Sequence, residues 1–337
     1  MATTYKSLSA TDVASTKTLL NESIPITGSI PYGTYSEGNI KNYSHQMFQS
    51  VYDYPYLSSS ANHIFDISFG HSSTSALSGT SASHTAVAKK INIYNQFAQL
   101  LVGYDATGSI LKFDQDGDLT GGTKHDDLFF FAFSRLLVKD EIKKGSFQLS
   151  LGTGSSTTPF SGIKTLYDAG AASEYRVNSP AGEYGLLYDN QAGTGTPVGL
   201  LYYQAGIAAI TASVMPTASY SGSAYLSSSL SGNTIQEISN TLRRRINNIQ
   251  FNNTTELNST IYFCRANHNE FNYSSNPTYL SSSKMVVKNT STDAPVSYIT
   301  TVGLYSADNE LLAVAKLSEP LKKDPTNELT IRVRLDY

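Results

Sequence analysis

The last ten residues alternate without a break, with Leu329, Ile331, Val333, Leu335 and Tyr337 on one side and Glu328, Thr330, Arg332, Arg334 and Asp336 on the other. Successive side chains of a strand point to opposite faces, so this stretch reads as a β-strand that buries one face and wets or pairs the other. Upstream, Tyr298 to Tyr305 and Glu310 to Leu317 are β-rich runs joined by Ser306-Ala307-Asp308-Asn309, residues that suit a hairpin turn. The three runs are expected to form a β-meander over residues 298–337, in which the C-terminus closes its own sheet.

The chain has 337 residues, 40% of them hydrophobic, which is enough for a sizeable core and for about two domains in length. Only 15% are charged, while Tyr (23) and Gly (24) are abundant, so the surface must be neutral and polar. Neutral hydroxyl and amide groups hydrogen-bond without a large desolvation cost, and Tyr adds contact area with few rotatable bonds, as suits a protein packed among other proteins. A β-rich domain would show the same bias, since Tyr and Thr favour strands. The net charge of −3 arises without a long block of either sign, which argues against a nucleic-acid surface. Arg243-Arg244-Arg245 close a helix-like run that starts at Thr234, where basic side chains meet the helix dipole or another protein segment. No apolar stretch approaches a membrane span, and Met1 to Lys6 lack a signal-peptide core, so a soluble protein made in the cytoplasm is expected. A single cysteine, Cys264, leaves no internal disulfide and reads as a small buried thiol on a strand.

The expected architecture is α+β, mainly antiparallel β with a few helices and an extended N-terminal arm. The arm covers residues 1–83 and the body residues 84–337. Within the arm, Asp12 is placed to cap a short helix through Leu20. A second helix is expected over 39–51, with Ile40, Tyr43, Met47, Phe48 and Val51 apolar. Thr27 to Gly33 is too broken for a regular element. From Ser58 to Ser83 the large apolar residues are Ile64, Phe65, Ile67, Phe69 and Leu77. Fixing each backbone costs roughly 1 to 2 kcal/mol, and burying each such side chain returns about 1.5 to 3, so hydrogen bonds must add to the balance. A chain lacking residues 1–60 is therefore expected to remain folded.

A helix follows, in which Val87, Ile91, Tyr94, Ala98 and Leu101 recur at helical spacing, Lys89, Lys90, Asn92 and Gln96 lie between them, and Gly103 stands at the stop. Strands are expected at 128–133, 146–151, 174–177, 183–188, 198–204 and 207–214. After a helix over 234–246, two more are expected at 249–254 and 260–266.

Sequence signatures of catalysis are missing: there is no nucleophile elbow, P-loop, dinucleotide fingerprint or H-E-x-x-H, and the six histidines lack metal-ligand spacing. His71 beside Ser72 and Ser73 is adjacency in sequence, not a triad. The one site-like motif is Asp114-Gln115-Asp116-Gly117-Asp118, with Asp114, Asp116 and Asp118 as a candidate cation cluster. It departs from an EF-hand, which needs glycine at the sixth position and glutamate at the twelfth, and an acidic surface turn is the simpler reading. The chain is expected to be no enzyme and to hold no cofactor.

Several blocks carry a resemblance. Ile299-Thr300-Thr301-Val302-Gly303-Leu304-Tyr305, followed by Asn309 to Leu317 and Pro320, resembles the ends of structural proteins of contractile-tailed bacteriophages. Leu257 to Asn267, Phe271 to Pro277, Asn21 to Ser29 and Gln49 to Tyr56 extend the likeness to virion proteins of T4-like phages, the cyanophage-type myoviruses especially. The resemblance implies a virion structural protein of the tail or baseplate, assembled in the host cytoplasm. It further implies other virion proteins and further copies of the chain as partners, without nucleic acid or membrane. Such a subunit would wrap neighbours with its arm. Contacts are expected at Ile30, Tyr32 and Tyr35, at Tyr52, Tyr54 and Tyr56, and at Phe271, Tyr273 and Tyr279. A neck or head–tail connector, a tail-fibre attachment protein and a receptor- or glycan-binding module are the alternatives. The glycan reading lacks Trp.

Overall fold

The computed structural model of the chain describes residues 5–25, 37–79, 84–154, 158–214, 219–220, 224–225, 230, 232–274, 280–281, 284–285 and 295–337. In chain order its strands are β1 (Val13–Pro25), β2 (Ile40–Asn42), β3 (Gln49–Tyr52), β4 (His63–His71), β5 (Asp127–Phe133), β6 (Glu141–Ile142), β7 (Gln148–Gly152), β8 (Ile163–Tyr167), β9 (Tyr184–Leu187), β10 (Gly199–Tyr202), β11 (Ile207–Thr211), β12 (Ser219–Tyr220), β13 (Ala224–Tyr225), β14 (Ile246–Ala266), β15 (Leu280–Ser281), β16 (Lys284–Met285), β17 (Ser297–Tyr305), β18 (Leu311–Lys323) and β19 (Leu329–Asp336). The main helices are α1 (His84–Leu101), α2 (Arg135–Val138) and α3 (Ile235–Arg243). The fold is α+β and mostly antiparallel sheet.

Contacts divide the chain into two compact units, one formed by Met1–Leu19 with Glu256–Tyr337 and the other by Leu20–Thr255. This division falls elsewhere than the expected arm and body. The larger unit is built on a seven-stranded antiparallel sheet in the order β2-β3-β4-β5-β11-β10-β9. Its β5 reads Asp-Leu-Phe-Phe-Phe-Ala-Phe, a continuous apolar run of the kind a strand carries when both its faces are covered. One face meets α1, where Phe97 stacks on Phe130 at 4.1 Å between ring centroids. On the other face Phe133 meets Phe147 at 5.9 Å and Phe251 at 5.3 Å, side chains that flank β7 and lie on β14. Helix α1 approaches β4 so closely that a Cβ on Gly70 would lie 2.6 Å from the Tyr94 backbone nitrogen, so only glycine fits there. Thr234 caps α3 in a reciprocal box with Glu237, as the Thr-x-x-Glu spacing demands.

Several expectations change. Residues 39–51 form the β2–β3 hairpin rather than a helix, because Gln46 takes a left-handed φ of 57° in the connecting turn, which ends any helical path. Ile40 and Val51 are fully inside the core, so the expected arm contributes strands to the central sheet, and a chain without residues 1–60 loses part of that core. The segment after Asp12 is a strand rather than a helix. Its β-branched Val13, Thr16 and Thr18 favour the extended form, and it pairs with β14; the Asp12 carboxylate instead accepts from the Ser9 hydroxyl at 2.7 Å across one 3₁₀ turn. Lys90, expected between the apolar positions, is itself fully buried on α1 with Ile93, Tyr94 and Leu101. The two strands expected at 249–254 and 260–266 are one strand of 21 residues, and residues 174–177 make only an isolated bridge from Arg176 to Tyr184.

In the smaller unit, β17 and β18 form the expected hairpin, yet β19 does not complete a meander with them. It pairs antiparallel with β14, from Ser259 opposite Asp336 to Ala266 opposite Leu329. The alternation along β19 holds for Leu329, Ile331, Val333 and Leu335. Tyr337 lies beyond the strand with its ring in solvent and its hydroxyl 3.0 Å from that of Thr260.

Candidate functional site

The groups that could carry chemistry are tied into the scaffold. His71 Nδ1 sits 3.0 Å from the carbonyl of Ser72, while the Ser72 hydroxyl donates to Asp126, so no nucleophile–base pair forms. Burial lowers the His71 pKa, the loss of hydration outweighing the nearby Asp127 charge. Asp168 is buried where it accepts from the Gly145 N–H at 2.7 Å and the Phe147 N–H at 3.0 Å, which fixes the turn into β7. Desolvation pushes its carboxyl up to about 7. Lys90 donates to the Leu230 carbonyl at 2.6 Å, and burial brings its ammonium down to about 8.

Asp114, Asp116 and Asp118 do come together, with one oxygen of each within 4.8 Å of the others. The Lys124 ammonium already lies 2.7 Å from Asp114, whose second oxygen accepts from the Leu119 N–H at 2.7 Å. Tyr184 and Asn178 hold the Gly117 carbonyl from the other side, at 2.9 and 3.0 Å. Lys124 therefore neutralises Asp114 and the turn is pinned to the fold, while Asp116 and Asp118 stay exposed. Of the basic triplet, Arg243 and Arg245 are buried, and Arg245 donates to the carbonyls of Gly152 and Gly154 at 3.0 and 2.8 Å, a protein contact.

The expected contact residues fall into three groups. Ile30, Tyr32, Tyr35 and Tyr279 lie outside the described residues. In the larger unit Tyr52 and Tyr56 are half-buried with their rings 6.2 Å apart, and Tyr54 beside them is exposed. In the smaller unit Phe271 and Tyr273 project from a turn whose anchor is the intervening Asn272. That side chain is buried, donates to the His268 carbonyl at 2.8 Å and accepts from Lys323 Nζ at 2.7 Å. Lys323 is itself fully buried and also donates to the carbonyls of Asp324, at 2.8 Å, and His268, at 3.3 Å. Three acceptors thus meet the three hydrogens of one ammonium, which is what makes a buried lysine tolerable. Phe271 takes φ 55°, a conformation that costs a side chain with a Cβ about 1 to 2 kcal/mol, and its carbonyl accepts from the Ser297 hydroxyl. The turn is therefore a rigid mount that holds two aromatic rings in solvent.

Sequence reasoning missed a more extensive feature, the exposure of β1 and β18. All of Val13 to Ser23 on β1 is exposed, Leu19 and Leu20 included, as are Leu311, Leu312 and Val314 on β18. The β-branched Val13, Thr16 and Thr18 of β1 were the signal for a strand, but no local pattern marks a strand that is wet on both faces. No protein-family pattern, curated protein or solved structure matches this chain.

Proposed function

We propose that the chain is a non-enzymatic structural subunit of a tailed-phage virion, packed against neighbouring subunits in the tail or baseplate region and assembled in the host cytoplasm. The observation that carries the assembly role is the smaller unit itself. It holds long strands and exposed large apolar side chains, while every residue of the continuous hydrophobic core lies between Ile40 and Phe251, in the other unit. A sheet with so little apolar cover of its own gains stability by burying that surface against a partner. The rigid mount of Phe271 and Tyr273 supports the same reading, since aromatic side chains held in place lose little entropy on contact. The virion, as the assembly concerned, comes from the resemblance of the blocks at 21–29, 49–56, 257–277 and 299–320.

The test is direct. Tailed particles purified from infected cells are digested for mass spectrometry and labelled with gold-conjugated antibody raised against this chain. Peptides in stoichiometric amount and label at the tail or its baseplate are the expected result. A chain found only in the soluble fraction of the lysate would reject the virion role, and label at the neck would move the subunit to the connector.

A further inference from the structure

We propose that the open edge of β1 receives β17 from a second copy of this chain, so that β14, β1 and the partner's hairpin form one continuous sheet. This rests on the assembly role above and names its partner.

β1 is 13 residues long and, among the described residues, pairs with β14 on one side and ends its sheet on the other. A long edge on which no further described strand pairs is a template for another strand, because a strand edge presents a row of N–H and C=O groups outward. Natural edges are blunted by proline, bulges or inward charges. Between Val13 and Ile24, β1 has no proline, and its only charges are Lys17 and Glu22, of which Lys17 is paired with Glu256.

The same chain carries the matching piece. β17 and β18 are a two-stranded sheet with no third strand among the described residues, an arrangement that is marginal in water. The nine residues of β17, Ser-Tyr-Ile-Thr-Thr-Val-Gly-Leu-Tyr, include no charge and are rich in β-formers. Pairing this strand along β1 therefore brings no further ion to the edge, and nine residues, about 30 Å of strand, fit within the roughly 43 Å that β1 offers. Charge points to the same occupant. The smaller unit has ten basic and ten acidic residues, and many are joined within it, as in Lys6 with Glu270, Asp12 with Arg265 and Arg334 with Asp336. A unit with no net charge sets up no repulsion against a second copy of itself and offers no excess of positive charge to a polyanion. Because the edge offered and the edge received differ, the contact either repeats reciprocally within a two-fold pair or runs head to tail into a ring or a filament.

The experiment uses the full chain with Cys264→Ser. One preparation carries Leu19→Cys, and others carry a single cysteine at each position from Ile299 to Gly303. Mixed and oxidised, they should give disulfide-linked dimers at alternate positions of the series, the period-two signature of a strand. Linkage of the Leu19→Cys chain to itself, with none to the series, means β1 pairs with β1 and overturns the proposal, as does no linkage at all. Hydrogen exchange of the unaltered chain is the second readout. Amides of β1 and β17 should gain protection together as protein concentration rises, and protection of neither, or of one alone, is the opposing result. Linkage without label in particles would sink the virion role and leave this pairing standing; label without linkage would do the reverse.

Discussion

The two units of this chain solve the problem of stability in opposite ways. The larger one hides phenylalanine: Phe65, Phe69, Phe129, Phe130 and Phe131 are all at most 1% exposed, layered on both sides of a central sheet. In the smaller one the buried apolar side chains among the described residues are Ala266, Val296 and Val333, and its fixed points are polar, the Lys323–Asn272 knot and a set of ion pairs. Apolar burial is non-directional and supports a fold unaided, whereas ion pairs at a surface contribute about 0 to 1 kcal/mol each. The first unit is equipped to fold alone; the second is equipped to be completed.

The comparison breaks most sharply at the N-terminus. Deleting residues 1–60 removes β2 and β3 from the central sheet together with Ile40 and Val51, and the remaining chain should show no cooperative unfolding transition by circular dichroism. A sharp transition in the truncated chain would mean that the larger unit's core begins at β4. Single substitutions probe the same contrast at lower amplitude. Phe131→Ala should cost about 3 to 5 kcal/mol in chemical denaturation, since it opens a cavity in a fully packed layer. Leu312→Ala, at a side chain 68% exposed, should stay within about 0.5 kcal/mol in the isolated chain. Equal losses would show that the hairpin has a core of its own.

How much of this was legible follows from where each element finds its partners. α1 was readable because its apolar spacing reports one face of one helix, although Lys90 broke the pattern. A lysine on the buried face looks outward in sequence, and the Leu230 carbonyl that accepts from it is supplied from 140 residues away. The β2–β3 hairpin read as a helix because Ile40, Met47, Phe48 and Val51 suit either period, and nothing local announces the left-handed turn at Gln46. The last strand was correct in its alternation and wrong in its neighbour, since pairing is set by tertiary packing and not by the strand's own residues. The acidic motif was found as a cluster, but Lys124, which neutralises Asp114, sits ten residues on and carries no mark in sequence.

Acid distinguishes the units next. In the larger one, burial holds the His125 pKa down to about 4, against 6.5 in the open, and lifts Asp168 to about 7, against 3.8. The histidine contributes stability above pH 6.5 that is lost as pH falls through 4, about 3 kcal/mol by the shift. The aspartate contributes stability below pH 3.8 that is lost as pH rises through 7, about 4 kcal/mol. Between pH 4 and 6.5 the two slopes oppose each other, so the unaltered chain should be nearly flat there. His125→Leu should leave a stability that declines steadily from pH 4 to 7, and a rise over that range would contradict the assignment. In the smaller unit the carboxylates shift the other way from Asp168. Hydrogen bonds from the Thr326 hydroxyl and N–H, with Lys322 beside them, hold Asp324 down to about 2, and the Ser259 hydroxyl and Arg334 hold Asp336 below its usual range. These contributions are present above pH 3.8 and disappear as pH falls further, so exchange protection in β18 and β19 should fail in acid while the β4–β5 core persists.

The finest contrast lies at a single φ angle. Phe271 is held left-handed by its neighbours, because Asn272 is fixed on Lys323 and the Phe271 carbonyl is fixed by Ser297. At an ordinary position alanine is the more stable replacement, since glycine loses more backbone freedom on folding. Here the order should invert. Alanine keeps the Cβ that makes φ 55° costly, whereas glycine releases it, so Phe271→Gly should be more stable than Phe271→Ala by about 1 kcal/mol in thermal or chemical unfolding. Both variants remove the ring, and both should weaken association with neighbouring subunits to the same degree if the ring is what the partner reads. An alanine variant as stable as the glycine one would mean that the turn relaxes on its own and that the aromatic pair is not held in a fixed pose. In that case the smaller unit would have to acquire its contact geometry from the partner instead of presenting it ready-made.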